Sequence, residues 1–182
     1  MNWETLFLQW RTFDMGLPQY LAIAILIQRI IENFHGNYNI KRLLAEGGRE
    51  VGRGFYRVVP VVHMSWVLAI LLLIPADAPV TWWLLGLYGL LQVARYYVIF
   101  TLGRYWTTRT ITLDGAPVVR RGIYKYIRHP NYVVVVSEVI VMPLVFGAWL
   151  IALVWGVAHI LMLGYRVWLE EKTLAPRRQA MS

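Results

Sequence analysis

Arg166 and Glu170 stand four residues apart in a segment with helical character, so their side chains share a face and can pair. A permanently charged guanidinium can hold an anionic oxygen, and a carboxylate suits a cationic amine. Glu171 turns away from that face by about a hundred degrees. A second cluster, Arg128-His129-Pro130-Asn131-Tyr132, enters an apolar run. Proline breaks the helix there and frees backbone groups that need partners, and the flanking histidine and tyrosine serve either structure or a polar cofactor. Further charges lie inside apolar runs, where an ion without a partner is costly. Arg29 and Glu32, three apart, can pair to close a bundle or can line a substrate cavity. Glu138 either meets a cation such as Arg95 or lines a wet cavity, and Arg95 can instead reach towards the aqueous face. The histidines show no metal-like spacing and there are no cysteines, so no metal site, thiolate nucleophile or redox pair is expected.

The elements that must position these residues follow from composition. The 182 residues are 58% hydrophobic and 15% charged, with a mean hydropathy of +0.50. Too few polar side chains remain to cover a soluble globule, and the apolar residues fall in long runs, so the fold class is all-α integral membrane. Five spans are expected: 17–34, 58–74, 80–102, 132–144 and 149–165. The last two are joined by the short link Val145-Phe146-Gly147-Ala148, which makes them a helical hairpin, with Pro143 kinking its first arm near the end.

The net charge is +8, and 15 of the 18 Lys and Arg lie between the first two spans, between the third and fourth, or after the fifth. With five spans these segments alternate as the positive-inside rule requires, which places them in the cytoplasm and the N-terminus outside. Topology and attraction to anionic lipid account for the basic charge, and no nucleic-acid motif is present. Trp3, Leu6, Phe7, Trp10 and Phe13 recur at helical spacing and read as an interfacial amphipathic helix rather than a signal peptide.

Two cytoplasmic segments, 35–57 and 103–131, are too long and too mixed to be connectors and are expected to fold over a site. The whole chain, 1–182, reads as a single membrane domain. Residues 1–102 hold the interfacial helix and three spans, and 103–182, by a family resemblance that its motifs carry, hold the cofactor-binding and catalytic region.

The run Gly122-Ile123-Tyr124-Lys125-Tyr126-Ile127-Arg128-His129-Pro130-Asn131-Tyr132, the hairpin after it, and Arg166-x-x-x-Glu170-Glu171-x-x-Leu174 resemble the isoprenylcysteine carboxyl methyltransferase family. These are integral membrane enzymes that use S-adenosylmethionine. The similarity covers about residues 103–175. Arg29, Glu32, Asn39, Gly47-Gly48-x-Glu50-x-Gly52 and Tyr56, with Arg104 to Arg109 and Gly115 to Val119, resemble a bacterial branch. That branch is associated with type III polyketide synthases and O-methylates alkylpyrones or related phenolic lipids.

The resemblance implies a cytoplasmic cofactor pocket. The backbone of Ala116, Pro117, Val118 and Val119 would wrap the cofactor, which Tyr124, His129, Pro130, Asn131, Tyr132 and Glu170 would also contact. Arg166 would stand beside the methyl-accepting group, so that Arg166 and Glu170 are the catalytic pair. Val134 occupies a position where the family usually has glycine. The expected reaction is methyl transfer from S-adenosylmethionine to an oxygen of a lipophilic acceptor, first an alkylpyrone or phenolic polyketide lipid. The same-class alternatives are a prenylated cysteine carboxylate and a phospholipid amine. An NADPH-dependent enzyme of the sterol-reductase type and a non-enzymatic lipid-binding protein are the alternatives of other classes.

Overall fold

A computed structural model describes residues 14–52, 56, 58–113, 115 and 121–179, with the side chains of Glu170 and of 173–179 left out. The expected interfacial helix lies outside these residues. Among them the chain forms five α-helices and a two-stranded antiparallel sheet. The helices are α1 (Leu17–Ala45), α2 (Val58–Leu73), α3 (Trp82–Leu102), α4 (Pro130–Leu144) and α5 (Trp149–Gln179). β1 (Arg49–Val51) pairs with β2 (Thr110–Thr112), placing Glu50 opposite Ile111. α3 and α5 each contain a stretch long and apolar enough to cross a membrane, and α2 and α4 are shorter apolar helices.

Exposure runs opposite to that of a soluble protein. Phe34, Trp82, Phe100 and Leu161 face outwards, whereas Glu32, Arg95, Glu138 and Arg166 are buried. Lipid solvates the outer side chains well, so helix association relies on close packing and internal polar contacts.

At one end of the bundle an apolar core gathers Ala22, Ile25, Trp66, Ile70, Met142 and Val145. Two polar ties close that end. The Gln19 side-chain amide donates to the Ile74 carbonyl (2.7 Å), satisfying an acceptor just beyond the end of α2. The Thr81 N–H donates to the Val145 carbonyl (2.8 Å), fixing the start of α3 against the α4–α5 turn.

The other end departs from the sequence expectation. α1 continues past Phe34 to Ala45, so the first half of segment 35–57 is helix rather than loop. The added turns anchor the chain that follows α3. Asn39 donates to the Trp106 carbonyl (2.8 Å), and the His35 ring stacks on Trp106 (5.7 Å between centroids). Gly103, with φ 54°, ends α3 in the left-handed region and turns the chain towards α1.

Gly36 makes the approach possible. A Cβ there would lie 2.8 Å from Thr108 Cγ2 and 3.3 Å from the Thr108 nitrogen, so Gly36→Ala must push the 106–108 strip away from α1. It is expected to destabilise by about 1–3 kcal/mol. Gly89→Ala on α3, where a Cβ would meet nothing within 4 Å, is expected to be neutral or slightly stabilising. Unfolding midpoints of the two variants in detergent check the contrast.

Candidate active site

Four charges inside the bundle form one network across three helices. Arg95 on α3 donates through Nε to Glu32 Oε1 (2.6 Å) and through Nη2 to Glu32 Oε2, a fork-to-carboxylate match. Its Nη1 donates to Glu138 Oε2 on α4 (2.9 Å). Arg29 donates to Glu32 (2.8 Å) and to Glu138 (2.7 Å) from its two terminal nitrogens. Gln92 donates to the other Glu138 oxygen (3.0 Å). Two arginines and two glutamates therefore balance inside the bundle, meeting the condition under which buried ions are tolerated.

A cavity of about 400 Å³ opens between this network and the segments at that end of the bundle. Arg29, Glu32 and Arg95 line one side, Tyr56, Trp106 and Thr108 another, and Tyr132 and Arg166 a third. Arg166 is buried in α5, and its Nη1 donates to the Thr108 carbonyl (3.0 Å). Its guanidinium carbon lies 5.4 Å from the centre of the Tyr56 ring and 5.3 Å from that of Tyr132, within cation–π range of both. The Tyr56 hydroxyl accepts from the Thr110 N–H (2.9 Å), tying it to β2. Arg109 reaches Glu50 on β1 (3.1 Å), so side chains and sheet register together join 46–52 to 106–112.

Pro130 begins α4 at a position where its missing N–H costs nothing, and the preceding His129 lies parallel to the Tyr132 ring (5.5 Å, 8°). His129 Nε2 is 2.8 Å from Glu171 Oε1, which links the entry of α4 to α5. Asn131 Oδ1 is buried and has no hydrogen-bond partner among the described residues. No three His, Asp or Glu gather as a metal site among those residues.

The sequence model of the isoprenylcysteine carboxyl methyltransferase (ICMT) family matches residues 84–176. That match takes in the hairpin, the His129–Tyr132 entry and Arg166. The uncharacterized protein YpbQ of Bacillus subtilis (strain 168) is 31% identical over 161 residues, 85% of this chain and 95% of that protein. The chain belongs to the ICMT family. An uncharacterized protein of Haemophilus influenzae is 33% identical over 81 residues, 44% of this chain and 47% of its own. No solved structure matches. ICMT membership and the apolar helices make this a membrane protein of a methyltransferase family.

Within this ICMT chain the residues singled out from sequence are distributed unevenly. Arg166, Asn131, Tyr132, Arg29 and Glu32 line the cavity. His129 stacks against Tyr132. Glu138 is fully buried behind Arg29 and Arg95 and binds both, rather than joining the lining. Tyr124, in the 3-10 turn Gly122–Lys125, and Pro130 are not lining residues. Ala116, Pro117, Val118 and Val119 lie outside the described residues, as does the side chain of Glu170 on α5. Val134 is buried on α4.

Sequence reasoning gave no role to Thr108, whose contribution is a backbone carbonyl, or to Glu171 as the partner of His129. It also passed over His63 and His159, both of which line the cavity. The available signal was a histidine within each of two apolar helices, where a ring nitrogen needs a partner.

Proposed function

We propose that this protein transfers a methyl group from S-adenosylmethionine to an oxygen of a long-chain lipophilic acceptor, an alkylpyrone or phenolic polyketide lipid. The observation that carries the reading is the placement of Arg166. It is a permanent cation buried at the cavity wall, held by the Thr108 carbonyl and faced by two tyrosine rings. Such a group suits a single anionic or polarised oxygen, and its fixed geometry favours transfer by proximity and orientation. Val135, Met162 and Leu163 supply an apolar lining for the substrate's carbon skeleton.

The residues present fit the cofactor. Asn131 Oδ1 is a buried acceptor without a partner among the described residues, on a residue that lines the cavity beside Tyr132, and suits a ribose hydroxyl or an amino group. Glu170, one turn after Arg166 on α5, is assigned by family resemblance to the cofactor's amino group. When bound, S-adenosylmethionine supplies a methyl group on a sulfonium, an electrophile needing no metal.

In this reading the five helices all cross a bacterial inner membrane, with the N-terminus outside. The basic segments mark the cytoplasmic side, where the cofactor enters. Acceptor tails enter between helices from the lipid, and a type III polyketide synthase is the class of enzyme that would make such acceptors. The test is binding of S-adenosylhomocysteine to purified protein. Glu170→Gln is expected to weaken it at least about tenfold. No binding by the wild type, or equal affinity in the variant, contradicts the assignment.

A further inference from the structure

Two histidines meet at the wall of the cavity. His63 Nδ1 on α2 and His159 Nε2 on α5 are 3.1 Å apart, and the rings are set edge to face with centroids 5.3 Å apart. His159 Nδ1 lies 2.8 Å from the Trp155 carbonyl oxygen on its own helix. A carbonyl can only accept, so His159 carries its proton on Nδ1.

For two neutral imidazoles that one contact fixes the direction of the whole chain. His159 Nε2 is then an acceptor, and His63 must donate to it from Nδ1. The remaining nitrogen, His63 Nε2, is left with a lone pair. It is buried and has no hydrogen-bond partner among the described residues. A buried acceptor in that condition calls for a donor. Both rings line the cavity, to which Val59, Met64 and Met162 also contribute.

We propose that His63 Nε2 accepts a hydrogen bond from a hydroxyl of the methyl acceptor's head group other than the oxygen being methylated, which makes the cavity selective for dihydroxylated phenolic acceptors over carboxylates. This inference rests on the methyltransferase reading above and narrows its acceptor class. An ionised carboxylate carries only lone pairs, so it would set acceptor against acceptor at His63. A hydroxyl supplies the missing proton, and a site built around a buried acceptor discriminates strongly against analogues that lack it. His159 is the positioning residue, because its bond to the Trp155 carbonyl selects the tautomer of His63. Position supports a role in the same pocket as Arg166. His159 and Arg166 are seven residues apart on α5, nearly two full turns, and therefore share a face. Their attachment points are about 10 Å apart along the axis. The Arg166 side chain starts out leaning towards the helix N-terminus, which is the His159 side.

The test uses the full-length protein in detergent micelles with its histidines labelled with nitrogen-15, the His63 signals being assigned by their loss in His63→Gln. A long-chain 5-alkylresorcinol is expected to move the His63 Nε2 resonance, and its dimethyl ether, which has no donor, is expected to leave it in place. In methyl-transfer assays with the same resorcinol, His63→Leu is expected to raise KM at least about tenfold with little change in kcat. S-adenosylhomocysteine affinity should be unchanged, which also reports that the variant is folded. His63→Gln, whose amide oxygen can take the same bond, is expected to recover most of that loss. An unmoved resonance, an equal movement with the dimethyl ether, or an unchanged KM in His63→Leu overturns the proposal, even where the wild type methylates the lipid. If the resonance moves but no hydroxyl lipid is methylated, the recognition site stands and the methyltransferase reading falls.

Discussion

Arg166→Ala is expected to slow methyl transfer by about 10²–10³-fold while leaving the fold intact. The guanidinium is the buried cation that the α5 face delivers to the cavity, and the contacts that hold it there include the Thr108 carbonyl, the Tyr56 ring and the Tyr132 ring. Alanine removes the charge that would face the acceptor oxygen as the methyl group approaches it. It leaves the Thr108 carbonyl without this donor, a penalty of about 1–3 kcal/mol that a folded protein can absorb. Arg166→Lys should fall between the two. The ammonium keeps the charge but loses the planar fork that can bond a carbonyl and an acceptor oxygen together. Initial rates with a long-chain phenolic acceptor measure the effect, and S-adenosylhomocysteine binding shows whether the variant has kept its fold. A rate within a fewfold of wild type in Arg166→Ala would remove Arg166 from the acceptor site.

The largest effect on stability is expected at Glu138. It is completely buried and accepts from Arg29, Arg95 and Gln92 at once (2.7, 2.9 and 3.0 Å). Glu138→Gln preserves shape but leaves two arginines sharing the single charge of Glu32, and it turns an amide NH₂ or a neutral oxygen towards guanidinium donors. Breaking a buried ionic network from one side is expected to cost about 3–5 kcal/mol. Glu46 provides the comparison. It also meets two arginines, Arg104 at 2.6 Å and Arg42 at 3.4 Å, but in a third-exposed setting at the end of α1. Glu46→Gln is expected to change stability by about 0–1 kcal/mol. Unfolding midpoints in a denaturing-detergent titration would separate the two, and equal midpoints would show that the network does not hold α1, α3 and α4 together.

Apolar runs located most of the helices well. The second, third and fourth expected spans agree with α2, α3 and α4 to within two residues at each end. The first and fifth were cut short, at Phe34 and Tyr165, where the helices continue to Ala45 and Gln179. Hydropathy reports where a helix stops facing lipid, not where its hydrogen bonding stops. His35, Gly36 and Asn39 lie beyond the apolar run because they pack against Trp106 and Thr108.

The ion pairs were half legible in the same way. Spacing alone suggests that Arg29 can reach Glu32, and cost inside a membrane suggests a cation for Glu138. That all four charges close into one network depends on how α1, α3 and α4 are rotated against one another, which no local pattern encodes. Arg166 was legible through its spacing and family motif. Its bond to the Thr108 carbonyl was not, because every residue has a carbonyl. The histidine pair spans 96 positions and forms no motif.

Methylation of a lipid oxygen is tested most directly by one measurement. Membranes containing the protein would be given methyl-labelled S-adenosylmethionine and a long-chain alkylpyrone or alkylresorcinol, and the labelled product would be isolated and its methyl position determined. The expected result is a methyl ether of the added lipid that is missing from membranes carrying Arg166→Ala. Label found only on nitrogen or on a protein carboxylate, or a methyl ether formed equally well by the variant, would contradict it.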